Sequence, residues 1–146
     1  MKILGHPVHV MLIHFPSALF PMDLICSVLA VYTGDPVFTG AAFMAVVGGV
    51  LFGFAAMATG AYDLIAVAEE KRVLKKALIH GGINATVVIA YSIPAYRAYQ
   101  AYPSLEPDTI ALLVVKAALV TFMIVGNYLG GSLVLRHGVG TEKAET

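Results

Sequence analysis

The sequence predicts an all-α integral membrane protein with four transmembrane helices packed as an up-and-down bundle. Of its 146 residues, 59% are hydrophobic and only 12% are charged, and the mean hydropathy is +0.84. A soluble domain normally carries about 25% charged residues, because its surface must be solvated. Four apolar segments also reach the roughly 20 residues that a helix needs to cross a hydrocarbon core. The lipid bilayer is therefore the expected solvent for most of the surface.

The first span is expected from about Pro7 to Tyr32. Pro16 and Pro21 lie inside it, and each removes a main-chain donor, so we expect the first helix to be kinked at these prolines. The next residues, Thr-Gly-Asp-Pro, form a predicted tight turn, because glycine commonly ends a helix and proline fits the first position of the next one.

The second span is expected from Pro36 to about Ala66, and one face of it carries small residues. They recur at steps of four and three, which places them on one side of a helix: Gly49, Gly53, Ala56, Gly60 and Asp63. Such a stripe is typical of close helix packing. A flat wall against a planar ligand is a second interpretation, compatible with the first.

The third and fourth spans follow a charged segment. Residues 69–76 read Glu-Glu-Lys-Arg-Val-Leu-Lys-Lys, which indicates a solvated connection at the membrane interface. The third span is then expected from about Ala77 to Ala98, with Pro94 bending or ending it near its far side. The fourth span is expected from about Thr109 to Leu135.

The chain is expected to form one transmembrane domain over residues 1–138, followed by a short polar C-terminal tail over residues 139–146. Basic residues gather at the end of the bundle that holds both termini: Lys2, Lys71, Arg72, Lys75, Lys76, Arg136 and Lys143. The opposite end has Arg97. Because cytoplasmic segments carry the excess of lysine and arginine, both termini are predicted to be cytoplasmic.

Two charged residues fall deep inside predicted spans. Asp23 lies in the first span and Lys116 in the fourth, at a similar distance from the same end of the bundle. An isolated charge within the membrane is costly, so we expect a structural ion pair between them. A proton-relay role is the alternative, but no further acidic residue within the spans continues a path.

Composition excludes several functional classes. Nine basic and nine acidic residues give a net charge of zero, which argues against a nucleic-acid partner. The single cysteine, Cys26, allows no intrachain disulfide and no cysteine cluster for zinc or iron–sulfur. No serine or cysteine nucleophile accompanies a histidine and a carboxylate, so an electron carrier or binding subunit is favoured over a hydrolytic enzyme.

Short motifs containing histidine and glycine recur along the chain. Residues 5–9 read Gly-His-Pro-Val-His, residues 14–16 read His-Phe-Pro, and residues 58–63 read Ala-Thr-Gly-Ala-Tyr-Asp. His80-Gly81 with Asn84 follows, and residues 128–140 contain Tyr-Leu-Gly-Gly and His-Gly-Val-Gly. Over nearly its whole length the chain resembles a bacterial family of predicted membrane proteins, domain of unknown function 2231. The resemblance implies a helical protein of the bacterial inner membrane with these histidines as motif residues. It also implies redox partners, since some relatives are joined to Rieske-type domains.

All five histidines are predicted at or below the cytoplasmic face: His6, His9, His14, His80 and His137. The leading hypothesis is a b-type haem in an electron-transfer protein. Its axial ligands would be His14 and His80, from spans that are diagonal in an up-and-down bundle, with His9 as the alternate ligand. Gly53 and Gly60 would leave room for the macrocycle. Basic residues would face the propionates (Arg72, Lys75, Lys76 and Arg136), and Asn84, Asn127 or Tyr62 would orient the imidazoles.

Two further hypotheses stay open at this point. The first is a non-haem copper or zinc site near the surface, because imidazole suits both metals; its ligands would be His6, His9, His80 and His137. The second is a non-catalytic membrane subunit that docks a redox complex. A redox protein or a quinone would be the partner in electron transfer, and the glycine-rich helix faces are compatible with a homodimer.

Overall fold

The computed structural model describes residues 2–3, 6–66 and 68–137, and the side chains of residues 8–65 and 68–135. Two short strands, β1 (Lys2–Ile3) and β2 (His6–Pro7), pair antiparallel near the N-terminus. The predicted C-terminal tail lies outside the described residues. The division into one transmembrane domain over residues 1–138 and a tail over residues 139–146 therefore stays a prediction.

Five helices follow the strands. They are α1 (Val8–Leu12), α2 (His14–Thr33), α3 (Pro36–Ala66), α4 (Lys71–Ala101) and α5 (Ile110–His137). Four segments are long and apolar enough to cross a membrane, with α1 and α2 together making the first. The predicted all-α fold with four transmembrane helices is confirmed.

The first span has a local irregularity at Ile13, between α1 and α2, but Ile13 keeps helical dihedrals (φ −62°, ψ −20°) and its N–H donates to the carbonyl of His9 at 3.1 Å. Pro16 offers no N–H to the carbonyl of Leu12, and a proline ring crowds the carbonyl four residues before it, so the helix loses a bond there. The next carbonyl, of Ile13, accepts both the Ser17 N–H at 3.2 Å and the Ser17 hydroxyl at 2.6 Å. Helix α2 then continues through Pro21 to Thr33. The angle of a kink at either proline stays a prediction.

Residues 71–76 of the charged segment are helical, which corrects the sequence-based boundary of the third span. Helix α4 begins at Lys71 rather than near Ala77, and the N–H of Leu74 donates to the carbonyl of Glu70 at 2.9 Å. Lysine, arginine and leucine are good helix formers, so these residues extend the helix of the third span by more than one turn at its solvated end. Helix α4 also continues past Pro94 to Ala101.

The connection between α2 and α3 has the predicted turn chemistry. Gly34 adopts a positive φ of 69°, and its N–H donates to the carbonyl of Ala30 at 2.9 Å. The Asp35 carboxylate then accepts the N–H of Val37 at 2.9 Å, which caps α3, and Pro36 is the first residue of that helix. This compact turn makes α2 and α3 antiparallel neighbours.

Contacts between helices form a closed ring, in which α2 meets α3, α3 meets α4, α4 meets α5 and α5 meets α2. Helices α2 and α4 are therefore diagonal, as an up-and-down bundle requires. At the centre the rings of Phe20 and Tyr91 stack with centroids 4.1 Å apart, and both residues are fully buried. Large apolar side chains are exposed on the outside of the helices, as expected where lipid is the solvent.

Candidate functional site: a cavity with two equivalent histidines

A cavity of about 510 Å³ occupies the end of the bundle where α1 and α4 begin and α3 and α5 end, called here the histidine end. Residues from all five helices line it, and its wall is mostly apolar. This size and character are typical of small-molecule and cofactor sites. The polar side chains among the lining residues are few: His9, His14, Ser17, Asp63, His80, Asn84 and Asn127.

His9 packs against α3. Its Nδ1 atom lies 2.9 Å from the main-chain carbonyl oxygen of Ala56. The Thr59 hydroxyl is 3.5 Å from the same nitrogen and donates to the Ala56 carbonyl at 3.0 Å. A Cβ atom on Gly60 would come within 2.8 Å of Cε1 of His9, so the imidazole occupies space that only glycine leaves free.

His80 makes the same contact with α5. Its Nδ1 atom lies 2.7 Å from the main-chain carbonyl oxygen of Gly126. A Cβ atom on Gly130 would come within 2.5 Å of Cε1 of His80. Each imidazole therefore bonds one carbonyl and packs against the glycine four positions further along the facing helix.

These contacts fix the tautomer of both rings. A carbonyl oxygen can only accept a hydrogen bond, so in the neutral imidazole Nδ1 carries the proton and Nε2 keeps its lone pair. Asn84 Nδ2 is also 3.2 Å from Nδ1 of His80, but that nitrogen already donates; the amide instead donates to the main-chain carbonyl of His80 at 3.0 Å. Both histidines are held in the form that ligates metals through Nε2.

His14, which the sequence favoured over His9, is placed differently. It lines the cavity, but the residue is exposed, and its Nδ1 is 3.4 Å from the carbonyl of Met11, three residues earlier in the same span. Among the described glycines, none packs against its ring. His9 has the held imidazole, and His14 contributes only to the rim of the same cavity.

Four of the other predicted site residues line the cavity: Gly53, Gly60, Asn84 and Asn127. Gly53 faces Val88, where an added Cβ would be 2.8 Å from Cγ2. Asn127 Nδ2 donates to the Ser17 hydroxyl at 2.9 Å and ties α5 to α2 at the wall. The stripe of small residues on α3 thus serves close packing and also borders the cavity.

Three of the four residues predicted to face propionates have described side chains, and none of the three lines the cavity. Val73 and Ala77 are the buried positions at the start of α4, so Arg72, Lys75 and Lys76 are on its exposed side. Tyr62 is likewise 59% exposed and away from the cavity wall. The side chains of Arg136, His6 and His137 lie outside the described residues.

Histidine, cysteine, aspartate and glutamate form no group of three or more that could hold a metal ion, within the part of the chain that the structure describes. The surface copper or zinc site would depend on His6 and His137, whose side chains are not described. Of the three histidines that line the cavity, His9 and His80 are the two whose rings bond a facing helix.

A buried charged centre lies at the opposite end of the bundle, called here the ion-pair end. The ammonium of Lys116 is 2.7 Å from Oδ1 of Asp23, so the structure brings together the two residues expected to pair. The same ammonium is 2.6 Å from Oδ2 of Asp108, which sequence reasoning missed. Asp108 follows a proline just before a span, a pattern typical of a helix start. The sequence therefore gives no sign that Asp108 also pairs with Lys116.

Comparison with known proteins agrees with this architecture. The family of predicted membrane proteins DUF2231 matches residues 5–143. No curated protein matches the chain, and no solved structure matches it. Because the family match covers almost the whole sequence, and four helices can span a bilayer, the chain belongs to the DUF2231 family of predicted membrane proteins.

Proposed function

We propose that this protein is a membrane-integral electron carrier that binds one b-type haem between His9 and His80. The observation that carries the proposal is the matched pair of contacts: each imidazole donates from Nδ1 to a carbonyl of the facing helix, and both line one cavity. His9 replaces His14 as the preferred partner of His80, because His14 lacks such a contact.

The donor set fits a haem. Haem iron takes one axial ligand from each side, and a histidine ligand is usually oriented by a hydrogen bond from its other nitrogen to a carbonyl or carboxylate. His9 and His80 supply two such imidazoles from the first and third spans, which are diagonal. When bound, the iron would supply a site for one-electron oxidation and reduction.

The cavity fits an apolar, planar group. Its volume of about 510 Å³ falls within the range of ligand sites, and its wall is mainly apolar. Gly53, Gly60 and Gly130 leave room on α3 and α5 for the side chains at its wall, Val88, His9 and His80 respectively. No lysine or arginine occurs among the described residues that line it, so we expect ligand carboxylates to reach the water at the histidine end.

Asn84 and Asn127 have a positioning role in this proposal. Asn127 bonds Ser17, which ties α5 to the start of α2 at the cavity wall. Asn84 donates to the carbonyl of His80, a bond within α4 that fixes the amide beside this ring. Neither amide has to contact the iron.

We further propose a bacterial inner-membrane location with both termini in the cytoplasm. Lysine and arginine gather at the histidine end, which supports this orientation. An electron carrier also needs a donor and an acceptor, and a membrane quinol or a redox protein would serve. A homodimer would also be compatible with the glycine-bearing helix faces, because such faces allow close helix packing.

Titration of the purified, haem-free chain with haemin tests the ligand assignment. We expect saturation at one haemin per chain with a low-spin spectrum. His9→Ala and His80→Ala should each abolish the low-spin form, while His14→Ala, the matched control at the cavity rim, should retain it. Loss of the low-spin form in His14→Ala with retention in His9→Ala would overturn the assignment.

The same preparation separates the competing functions. A colourless chain that retains stoichiometric copper or zinc, and does not take up haemin, would favour the non-haem metal site. A chain that binds neither metal nor haemin but copurifies with a larger redox complex would favour a docking subunit.

A further inference from the structure

The charged centre at the ion-pair end contains more negative than positive charge. Asp23 is fully buried and Lys116 is 3% exposed, and the carboxylate of Asp108 completes the group. The Lys116 ammonium has three donors, which face Oδ1 of Asp23 at 2.7 Å, the Ser27 hydroxyl at 2.9 Å and Oδ2 of Asp108 at 2.6 Å. Fully ionised, the group would carry one uncompensated negative charge.

The surrounding elements offer no second cation to this centre among the described residues of its wall. Helix α2 contributes Asp23 and Ser27, α3 contributes Thr39, and the connection between α4 and α5 contributes Glu106 and Asp108. From α4, the Tyr91 hydroxyl is directed to the main-chain carbonyl of Lys116, at 3.4 Å. Among the described residues of this wall Lys116 is thus the single cation, and it contacts Asp23 and Asp108, while Glu106 is exposed to water.

Two buried carboxylate oxygens of this group accept no hydrogen bond, Oδ2 of Asp23 and Oδ2 of Asp108. The second lies 2.6 Å from the ammonium of Lys116, within an ion pair. A buried charged oxygen without a hydrogen bond is unfavourable because it has lost the hydration of an ion, so such groups are normally neutralised or hydrogen-bonded. Asp23 also lines a small cavity of about 40 Å³, which exceeds the about 10–15 Å³ that one water needs.

We propose that the Asp23–Asp108 pair binds one exchangeable proton, with water in the small cavity as its hydrogen-bond partner. The proton brings the group of two carboxyls and one ammonium to zero net charge, and it turns an unpartnered oxygen into a donor or frees it from carrying charge. Two carboxylates that share a site commonly hold one proton between them.

The small cavity gives this proton a route to water. Its wall includes Leu105, Glu106 and Pro107 of the connection between α4 and α5, and Glu106 is exposed. Protons can therefore exchange at the ion-pair end without crossing the bundle. This inference does not depend on the haem proposal, because the two sites share no residue.

The carboxyl carbons of Asp23 and Asp108 report the proton directly. In the full-length, ¹³C-labelled chain in lipid at neutral pH, NMR signals assigned through the backbone should show one carboxylic acid for the pair. Two fully ionised carboxylates would overturn the proposal. This measurement needs no variant, so a failure of any variant to fold leaves it decisive.

Infrared spectroscopy adds a test by substitution. The native chain should show a carboxylic-acid C=O band that shifts in D₂O, and Asp23→Asn and Asp108→Asn should each lose it, since either change leaves one carboxylate for one ammonium. Asp35→Asn is the matched control at the same end, because asparagine caps a helix as well as aspartate. A band that persists in both variants of the pair, or a centre that binds Na⁺ in place of a proton, would contradict the proposal.

Discussion

Phe20 and Tyr91 stack face to face across the diagonal of the bundle, with ring planes 7° apart, and 71 positions separate them in the chain. The same 71 positions separate His9 and His80. Each aromatic ring follows its histidine by 11 residues, which is close to three helical turns. The two halves of the bundle thus repeat one pattern, and the matched histidine contacts belong to it.

The aromatic stack depends on a glycine of α3. An added Cβ on Gly49 would lie 2.6 Å from Cε1 of Phe20, a fully buried ring. We expect Gly49→Ala to destabilise the fold by about 1–3 kcal/mol through overpacking, measured by unfolding in detergent. Gly40→Ala on the same helix, where nothing lies within 4 Å, is the control and should be neutral or stabilising. Equal stabilities of the two variants would show that the Phe20 ring can move aside without cost, which would contradict this prediction.

The glycines beside the imidazoles should control cofactor binding. In Gly130→Ala the new methyl group would displace the ring of His80, whose Cε1 would lie 2.5 Å from the added carbon, and break its bond to Gly126. Losing an orienting partner of a ligand typically costs about 10–100-fold in affinity, and we expect that loss in haemin titrations. Gly82→Ala, with nothing within 4 Å, should bind as the native chain does. If Gly130→Ala bound haemin as tightly as the native chain, the contact between Gly130 and His80 would have no role in orienting the ligand.

Removing the ammonium from the ion-pair end should cost more than removing a balanced pair of charges. Lys116→Met leaves the buried Asp23 and the partly exposed Asp108 together without a cation, and we expect a loss of about 3–5 kcal/mol in unfolding free energy. The double variant Asp23→Asn/Lys116→Met should recover part of that loss, because only the partly exposed Asp108 then remains charged. Equal destabilisation by the single and double variants would count against a coupled centre.

The orientation can be measured with single cysteines at opposite ends of the bundle. Glu69 and Ser104 are both exposed, in the α3–α4 and α4–α5 connections. In intact cells we expect a membrane-impermeant thiol reagent to label Ser104→Cys at once and Glu69→Cys only after permeabilisation. The native Cys26 is buried and serves as the internal background. The reverse pattern would place the histidine end outside.

Much of the fold could be predicted because it depends on local composition. Apolar length alone located the four spans, and α3 has the predicted bounds, Pro36–Ala66. The high cost of an isolated charge in lipid pointed to contact between Asp23 and Lys116, which lie 2.7 Å apart. The start of α4 was missed because a charged helix and a charged connection have similar composition.

The finer details of the sites could not be predicted because they depend on tertiary packing. His9 and His14 both begin an apolar span, and the difference between them is the presence of Gly60 and the Ala56 carbonyl on a different helix. The spacing placed Gly60 in the stripe of small residues, but it could not show that an imidazole packs against this glycine. Asp108 joins the charged centre only because the α4–α5 connection folds over the end of the bundle.

The visible spectrum of the chain purified from its own membranes, oxidised and then reduced, tests the central claim most directly. If His9 and His80 hold a haem, the native protein and His14→Ala show a Soret band with sharp α and β bands on reduction, and both His9→Ala and His80→Ala lack them. A native protein without these bands after expression with ample haem, or bands that survive in both histidine variants, would contradict the account.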